Sequence, residues 1–114
     1  MHELSIAASI LEHVGVEAER HPGARLSRVG VRIGELSGID PGALAFGFEA
    51  LVRDTRWEPL QLDIEFCHRR QRCSTCGQEF TAAKFDTACP RCGEALTLCI
   101  AGDELDIAFI EVED

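Results

Sequence analysis

The sequence predicts an α+β fold: two helices on a three-stranded sheet, interrupted before its last strand by a small metal-folded ribbon. Three observations carry this. Two segments with helical apolar spacing are interleaved with three segments that alternate in the manner of strands. Four cysteines, Cys73, Cys76, Cys89 and Cys92, form two CxxC pairs with twelve residues, Gly77 to Ala88, between them. Finally, apolar periodicity weakens from Cys67 to Gly102 and returns at Leu105.

In chain order, Leu4, Ala7, Leu11, Val14 and Ala18 recur at helical spacing, flanked by Ile6 and Ile10. They predict an amphipathic helix from about Glu3 to Arg20, with Glu3 favourably placed in the first turn and His21-Pro22-Gly23 as the stop. Val29, Val31 and Ile33 alternate with Arg28, Gly30, Arg32 and Gly34, a half-buried strand over about Leu26 to Leu36. Asp40-Pro41 reads as an N-cap followed by proline in the first helical position. Leu44, Phe48, Leu51 and Val52 form the apolar face of that second helix, which ends near Arg53. Leu60, Leu62, Ile64 and Phe66 mark a second strand. Leu105 to Val112 marks a third, apolar on both faces toward its end and so expected to be central or covered.

This order implies a discontinuous organisation: residues 1–66 with 103–114 as one α/β unit, and 67–102 as an inserted ribbon. The ribbon's apolar content is thin, limited to Phe80, Phe85, Leu96, Leu98 and a few alanines. Burial alone does not offset its chain entropy, whereas metal binding, worth roughly 10–16 kcal/mol in zinc-finger peptides, does.

Composition excludes several classes. At 114 residues the chain is one compact unit or one core with a satellite, and 46% hydrophobic content suffices for a core without disulfides. No apolar run approaches a membrane span, and the start M-H-E-L-S-I lacks the pattern of a signal peptide, so a cytoplasmic protein is expected. The formal charge of −9 opposes general binding to nucleic acid or anionic membranes. Four bound thiolates and one Zn(II) would take it to about −11. The four arginines between Arg20 and Arg32, the basic run His68-Arg69-Arg70-Gln71-Arg72 and the acidic end Glu111-Val112-Glu113-Asp114 read as solvated surface.

The two CxxC pairs point at one tetrahedral four-thiolate site, closed and therefore structural. Gly77 and Gly93 supply backbone freedom after the second sulfur of each pair, and Pro90 stiffens the second turn. Soft thiolates favour zinc. Iron in a rubredoxin-like site and a nucleic-acid-binding ribbon are the competing readings, the latter opposed by the acidic charge. Cys67 and Cys99 flank the ribbon, as small buried hydrophobes or as a pair joined by a disulfide.

The start Met1-His2-Glu3 offers a second metal site of different chemistry. The Met1 α-amine and a deprotonated His2 amide nitrogen close a five-membered chelate ring. The His2 imidazole closes a six-membered ring with the same amide. Three nitrogens in one plane suit Ni(II) or Cu(II), and the Glu3 amide or carboxylate can complete the set. His13 and His21 fit helix positions and need no role.

M-H-E-L-S-I-A at the start, V-x-V-R-I-G-E-L-S at 29–37, an Asp-Pro-led helix containing F-x-F-E-A at 46–50, and C-x2-C-x12-C-P-x-C together resemble the HypA/HybF family of hydrogenase maturation nickel metallochaperones. The resemblance covers essentially the whole chain. It implies a nickel-binding α/β domain and a zinc domain. Ni(II) would be an exchangeable cargo on Met1 and His2, with Glu3 as accessory ligand, and Zn(II) a structural ion on Cys73, Cys76, Cys89 and Cys92. The implied partners are a HypB-type nickel GTPase, the [NiFe] hydrogenase large-subunit precursor and, in some members, urease accessory proteins. A histidine swapping onto zinc is not implied: Gly77 and Gly93 follow the CxxC pairs, and His68 is the nearest histidine. A carrier without catalysis is the leading expectation, and a zinc-ribbon adaptor that recruits a protein partner, or a rubredoxin-like electron carrier, is the alternative.

Overall fold

A computed structural model describes residues 2–82 and 86–113, the side chain of His2 excepted. Met1, Phe85 and Asp114, named above, therefore lie outside the described residues. The element order is α1 (His2–Glu19), β1 (Arg25–Gly34), α2 (Pro41–Val52), β2 (Gln61–Cys67), β3 (Arg70–Cys73), β4 (Glu79–Thr81), β5 (Thr97–Ala101) and β6 (Leu105–Glu113). Two three-stranded sheets result, ordered β2-β1-β6 and β4-β3-β5, in an elongated molecule of 56 × 28 × 16 Å. No helix among the described residues is long and apolar enough to cross a membrane.

In the first sheet β1 is central, parallel to β2 and antiparallel to β6. Its alternation puts Val29, Val31 and Ile33 on the face covered by the helices, where they are essentially fully buried with Ala7, Ile10, Val14, Leu44 and Phe48. The apolar stripe of α1 is thus centred on Ala7, Ile10 and Val14, and Leu4 is left 47% exposed. The start of α2 has the expected chemistry. Asp40 Oδ1 accepts from the backbone N–H groups of Gly42 (2.9 Å) and Ala43 (3.3 Å), and Pro41 takes the position where a missing N–H costs nothing.

Two sequence expectations are corrected. The first strand stops at Gly34, and Glu35–Ser37 form a 3-10 turn closed by Gly38 at φ 77°. The last strand, expected to be central or covered, is not central: it lies at the sheet edge, with Ile107, Ile110 and Val112 packed against the core. Its apolar residues Leu105, Ile107, Ile110 and Val112 pair with Ile33, Val31, Val29 and Leu26 of the helix-covered face. The opposite, open face carries Asp106, Phe109, Glu111 and Glu113. An extra residue at Ala108 shifts the register there, which is how apolar residues come to stand side by side in the sequence. The Phe109 ring occupies the space beside Gly30, where any Cβ would fall 2.1 Å from a ring atom.

The open face also explains charges read as solvated surface. Arg25 pairs with Glu113 (2.8 Å), Arg28 with Asp63 (2.8 Å) and Glu111 (3.3 Å), and Arg32 with Asp106 (2.8 Å). These contacts fix which residues of β6 face β1.

The chain passes twice between the sheets, at 68–69 and at 102–104. There Gly34 donates to Glu104 O (2.8 Å), Leu36 donates to Gly102 O (2.6 Å), and the Arg69 N–H donates to Glu35 Oε1 (3.0 Å). Gly102, at φ 116°, lies so close to Arg69 that a Cβ would come 2.7 Å from the Arg69 Cα. Three backbones meet at this joint because two of them carry no side chain.

Candidate metal centre

Among the described residues the second sheet has almost no apolar core. Among its described residues the buried ones are Gln71, Cys73, Ala82 and Cys89, whereas Leu96 and Leu98 are 68% and 58% exposed. Of the basic run His68–Arg72, read as surface, Arg70, Gln71 and Arg72 belong to the central strand β3. Buried Gln71 donates to Thr97 Oγ1 (2.9 Å), and Thr97 in turn donates to Thr87 O (2.6 Å), so the interior is tied by hydrogen bonds. Sequence reasoning missed Gln71; its alternation with Arg70 and Arg72 was the available signal.

Four sulfurs converge at the tip of this sheet. Those of Cys73, Cys76, Cys89 and Cys92 all lie within 4.8 Å of one another, with Cys73 to Cys92 at 3.5 Å and Cys76 to Cys89 at 3.7 Å. Four sulfurs about 2.3 Å from a tetrahedral ion stand about 3.8 Å apart, so this cluster fits a zinc site. The two CxxC turns repeat one geometry. Gly77 donates to Cys73 O (3.1 Å) and Gly93 to Cys89 O (2.8 Å), with Gly77 at φ 77° and Gly93 at φ 79°. Cys73 donates to Gln78 O and Cys89 to Glu94 O, each at 2.9 Å. Thr75 Oγ1 donates to Glu94 Oε1 (2.7 Å) and Ser74 Oγ to Leu96 O (2.6 Å), which bind the first turn to the second.

The electrostatics suit a cation. The Cys76 and Thr75 backbone N–H groups, each 3.4 Å from the Cys73 sulfur, draw that thiol down to about 6 against burial. Cys92 receives help from the Glu94 N–H but is driven up to about 12 by the sulfurs of Cys73, Cys76 and Cys89 and by burial. With the sulfurs this close, protonation of Cys73 and Cys92 is shared rather than independent, and positive charge among the sulfurs would favour the thiolate forms. A bound Zn(II) would supply that charge and fix both turns.

The remaining candidates stand apart. His68 Nδ1 is 3.7 Å from Glu35 Oε1 and its ring meets Phe66 edge-on, so it belongs to the joint and not to the sulfur cluster. Cys67 and Cys99 are both free thiols. Cys99 is exposed and so is no buried hydrophobe, whereas the half-buried Cys67 thiol is pushed up by burial and by Glu104 and Glu65. His13 Nδ1 lies 2.9 Å from Ser9 O and His21 Nε2 3.4 Å from Glu17.

At the other end, Met1 and the His2 imidazole lie outside the described residues. His2 is the first residue of α1, and helix geometry leaves its amide nitrogen without an intrahelical acceptor. The Glu3 carboxylate accepts from the Asp40 N–H (3.1 Å), so the beginnings of α1 and α2 are adjacent.

Residues 1–112 match the family model described as hydrogenase/urease nickel incorporation, metallochaperone, hypA. The hydrogenase maturation factor HypA of Geobacter metallireducens is 40% identical over 113 residues, covering 99% of this chain and 100% of its own. That of Chlorobium luteolum is 37% identical, covering 100% and 97%. The solution structure of a HypA protein superimposes with TM-score 0.68 at 25% identity, over 97% of this chain and 95% of the other. The nickel metallochaperone HypA of Helicobacter pylori shares the fold, with TM-score 0.63 at 23% identity over 97% of each chain. The chain therefore belongs to the HypA family of hydrogenase maturation nickel metallochaperones.

Proposed function

We propose that the protein carries Ni(II) on its amino terminus and hands it on for assembly of a [NiFe] hydrogenase, while the four-sulfur cluster holds a structural Zn(II). The observation that carries this reading is the family match over residues 1–112, which embraces both ends of the proposed chemistry. The proposed nickel ligands are the Met1 amine, the His2 amide and imidazole nitrogens, and one donor from Glu3. Helix geometry supports the amide as a ligand, because deprotonating a first-turn N–H breaks no helical hydrogen bond, and an anionic nitrogen suits the positive end of α1. The Glu3 carboxylate already accepts from Asp40, which favours its amide over its carboxylate as the fourth donor. The zinc ligands are Cys73, Cys76, Cys89 and Cys92.

The division of labour follows from accessibility and count. A site filled by four thiolates has no open position and holds its ion. An amine–amide–imidazole chelate opens when the amine or imidazole takes a proton, or when a partner's ligand competes. The chain thus acts as a cytoplasmic carrier without catalysis. Its partners in this reading are a HypB-type GTPase and the hydrogenase large-subunit precursor, and the family description extends the clients to urease. Residues 1–66 with 103–114 form the nickel-bearing unit and 67–102 the zinc ribbon.

Nickel titration of zinc-loaded protein tests the proposal. Protein starting at Met1 binds nickel, whereas His2→Ala and a Gly-Ser extension before Met1 lose it and keep zinc. Unchanged nickel stoichiometry in both variants would overturn the assignment.

A further inference from the structure

The strand β6 ends the first sheet, and nothing among the described residues pairs with its outer edge. Beside it runs a groove between α1 and β6. One part, of about 450 Å³, is lined by Ile6, Ile10, His13, Ile33, Asp106 and Ile107 among others. A second hollow, of about 430 Å³, shares Ile107 with it and runs past Glu17, His21, Ala108, Phe109, Ile110 and Val112. An exposed strand edge is ordinarily a hazard that proteins blunt with charge or bulges, and β6 has both, in its carboxylates and in the extra residue at Ala108.

Those guards do not act equally on every occupant. Pairing β6 with a second copy would bring both strands' carboxylates onto one sheet face, where like charges repel. A basic strand would meet the same carboxylates favourably. Asp106, Glu111 and Glu113 lie on the open face with side chains 46%, 45% and 51% exposed. Asp106 accepts from Arg32 on both oxygens, Glu111 from Ser27 and Arg28, and Glu113 from Arg25 on one oxygen, and each half-exposed carboxylate keeps lone pairs beyond these bonds. Alternate residues of the same added strand would face the apolar groove.

We propose that the outer edge of β6, with the groove between it and α1, captures an extended segment of a partner protein in which apolar and basic residues alternate, adding it as a fourth strand. Backbone hydrogen bonds hold the segment, its apolar side chains enter the groove, and its lysines or arginines meet Asp106, Glu111 and Glu113. The site is independent of both metal sites, so its test does not depend on nickel.

The probe is a fluorescent ten-residue peptide of alternating lysine and valine, titrated against the zinc-loaded full chain. We expect saturable binding that weakens with salt, and slower amide exchange at residues 108–112 without change in β3–β5. A strand presents the amides of alternate residues to one edge. N-methylating all lysine amides, or all valine amides, should therefore weaken binding about tenfold or more for one series and leave it nearly intact for the other. Glu113→Gln should weaken binding and reduce its salt dependence. Because loss of Asp106 or Glu111 also loosens β6 from β1, the methylated peptides on the unaltered protein carry the decision. Equal binding of both methylated series, no binding, or exchange changes confined to β3–β5 would overturn the proposal. So would a concentration-dependent dimer that protects residues 108–112 without peptide, which would make a second copy the occupant.

Discussion

Replacing Gly34 with alanine tests the joint between the two sheets. The new Cβ would fall 2.1 Å from Gly102 O, 2.3 Å from Gly102 C and 2.6 Å from Glu104 N, all backbone atoms that no rotamer change can move. Relief to ordinary contact needs a shift of more than about 1 Å. That shift acts on the hydrogen bonds Gly34 N to Glu104 O and Leu36 N to Gly102 O, of 2.8 and 2.6 Å. Losing two hydrogen bonds costs about 0.5–1.5 kcal/mol each, and overpacking adds about 1–3 kcal/mol. We expect Gly34→Ala to lower stability by about 2–6 kcal/mol, a large part of the total for a chain of this size. Gly15→Ala is the comparison: its Cβ would meet Trp57 at 3.8 Å, an ordinary contact, inside α1. That change should stabilise by about 0.5–1 kcal/mol. Urea unfolding of the zinc-loaded proteins, followed by circular dichroism, reads both. A Gly34→Ala protein within about 0.5 kcal/mol of the parent would refute the close-approach argument.

Zinc removal should act on one sheet. Stripping the ion with a strong chelator at neutral pH should erase amide-exchange protection in β3, β4 and β5 while Val29, Val31 and Ile33 stay protected, because the second sheet buries little apart from Gln71, Cys73, Ala82 and Cys89. Acid should weaken the β1–β6 pairing. Arg32 holds the Asp106 carboxyl below its usual range through a side-chain hydrogen bond, and Ser27 and Arg28 do the same for Glu111. Carboxyls depressed in the folded state contribute stability above their unfolded values, near 4, and lose it as pH falls through the lower folded values. The acid limb of a stability–pH curve should flatten in Asp106→Asn and Glu111→Gln, and a limb unchanged in both would contradict the assignment.

In the proposed reading the closed sulfur cluster and the amino terminus divide the metal chemistry in a way suited to a carrier. Holding and releasing are opposite demands, and one site serves them poorly. In the proposed reading the ribbon's ion is a fastener, since it replaces a core that the ribbon's exposed leucines do not build. The cargo ion stays on the other unit, at the start of a helix whose next residue, Glu3, is tied to the beginning of α2.

Much of this was legible in the chain because it is encoded locally. The spacing of Leu4, Ala7, Leu11, Val14 and Ala18 specifies a helix, Val29, Val31 and Ile33 a strand, and Asp40-Pro41 a helix start, since each depends on side chains within a few residues of one another. The two CxxC turns, each closed by a glycine at positive φ, likewise carry their geometry with them. What the tertiary structure alone decided are the relations between distant segments. It put β1 in the centre and β6 at the edge, although β6 reads as the more apolar strand, because the extra residue at Ala108 and the pairing with Arg25, Arg28 and Arg32 sort its two faces. It placed Phe109 beside Gly30, and Gly34, Gly102 and Arg69 in one close-packed joint. Periodicity reports which face of an element is apolar; which neighbour covers that face is set by long-range pairing, which no short window of sequence contains.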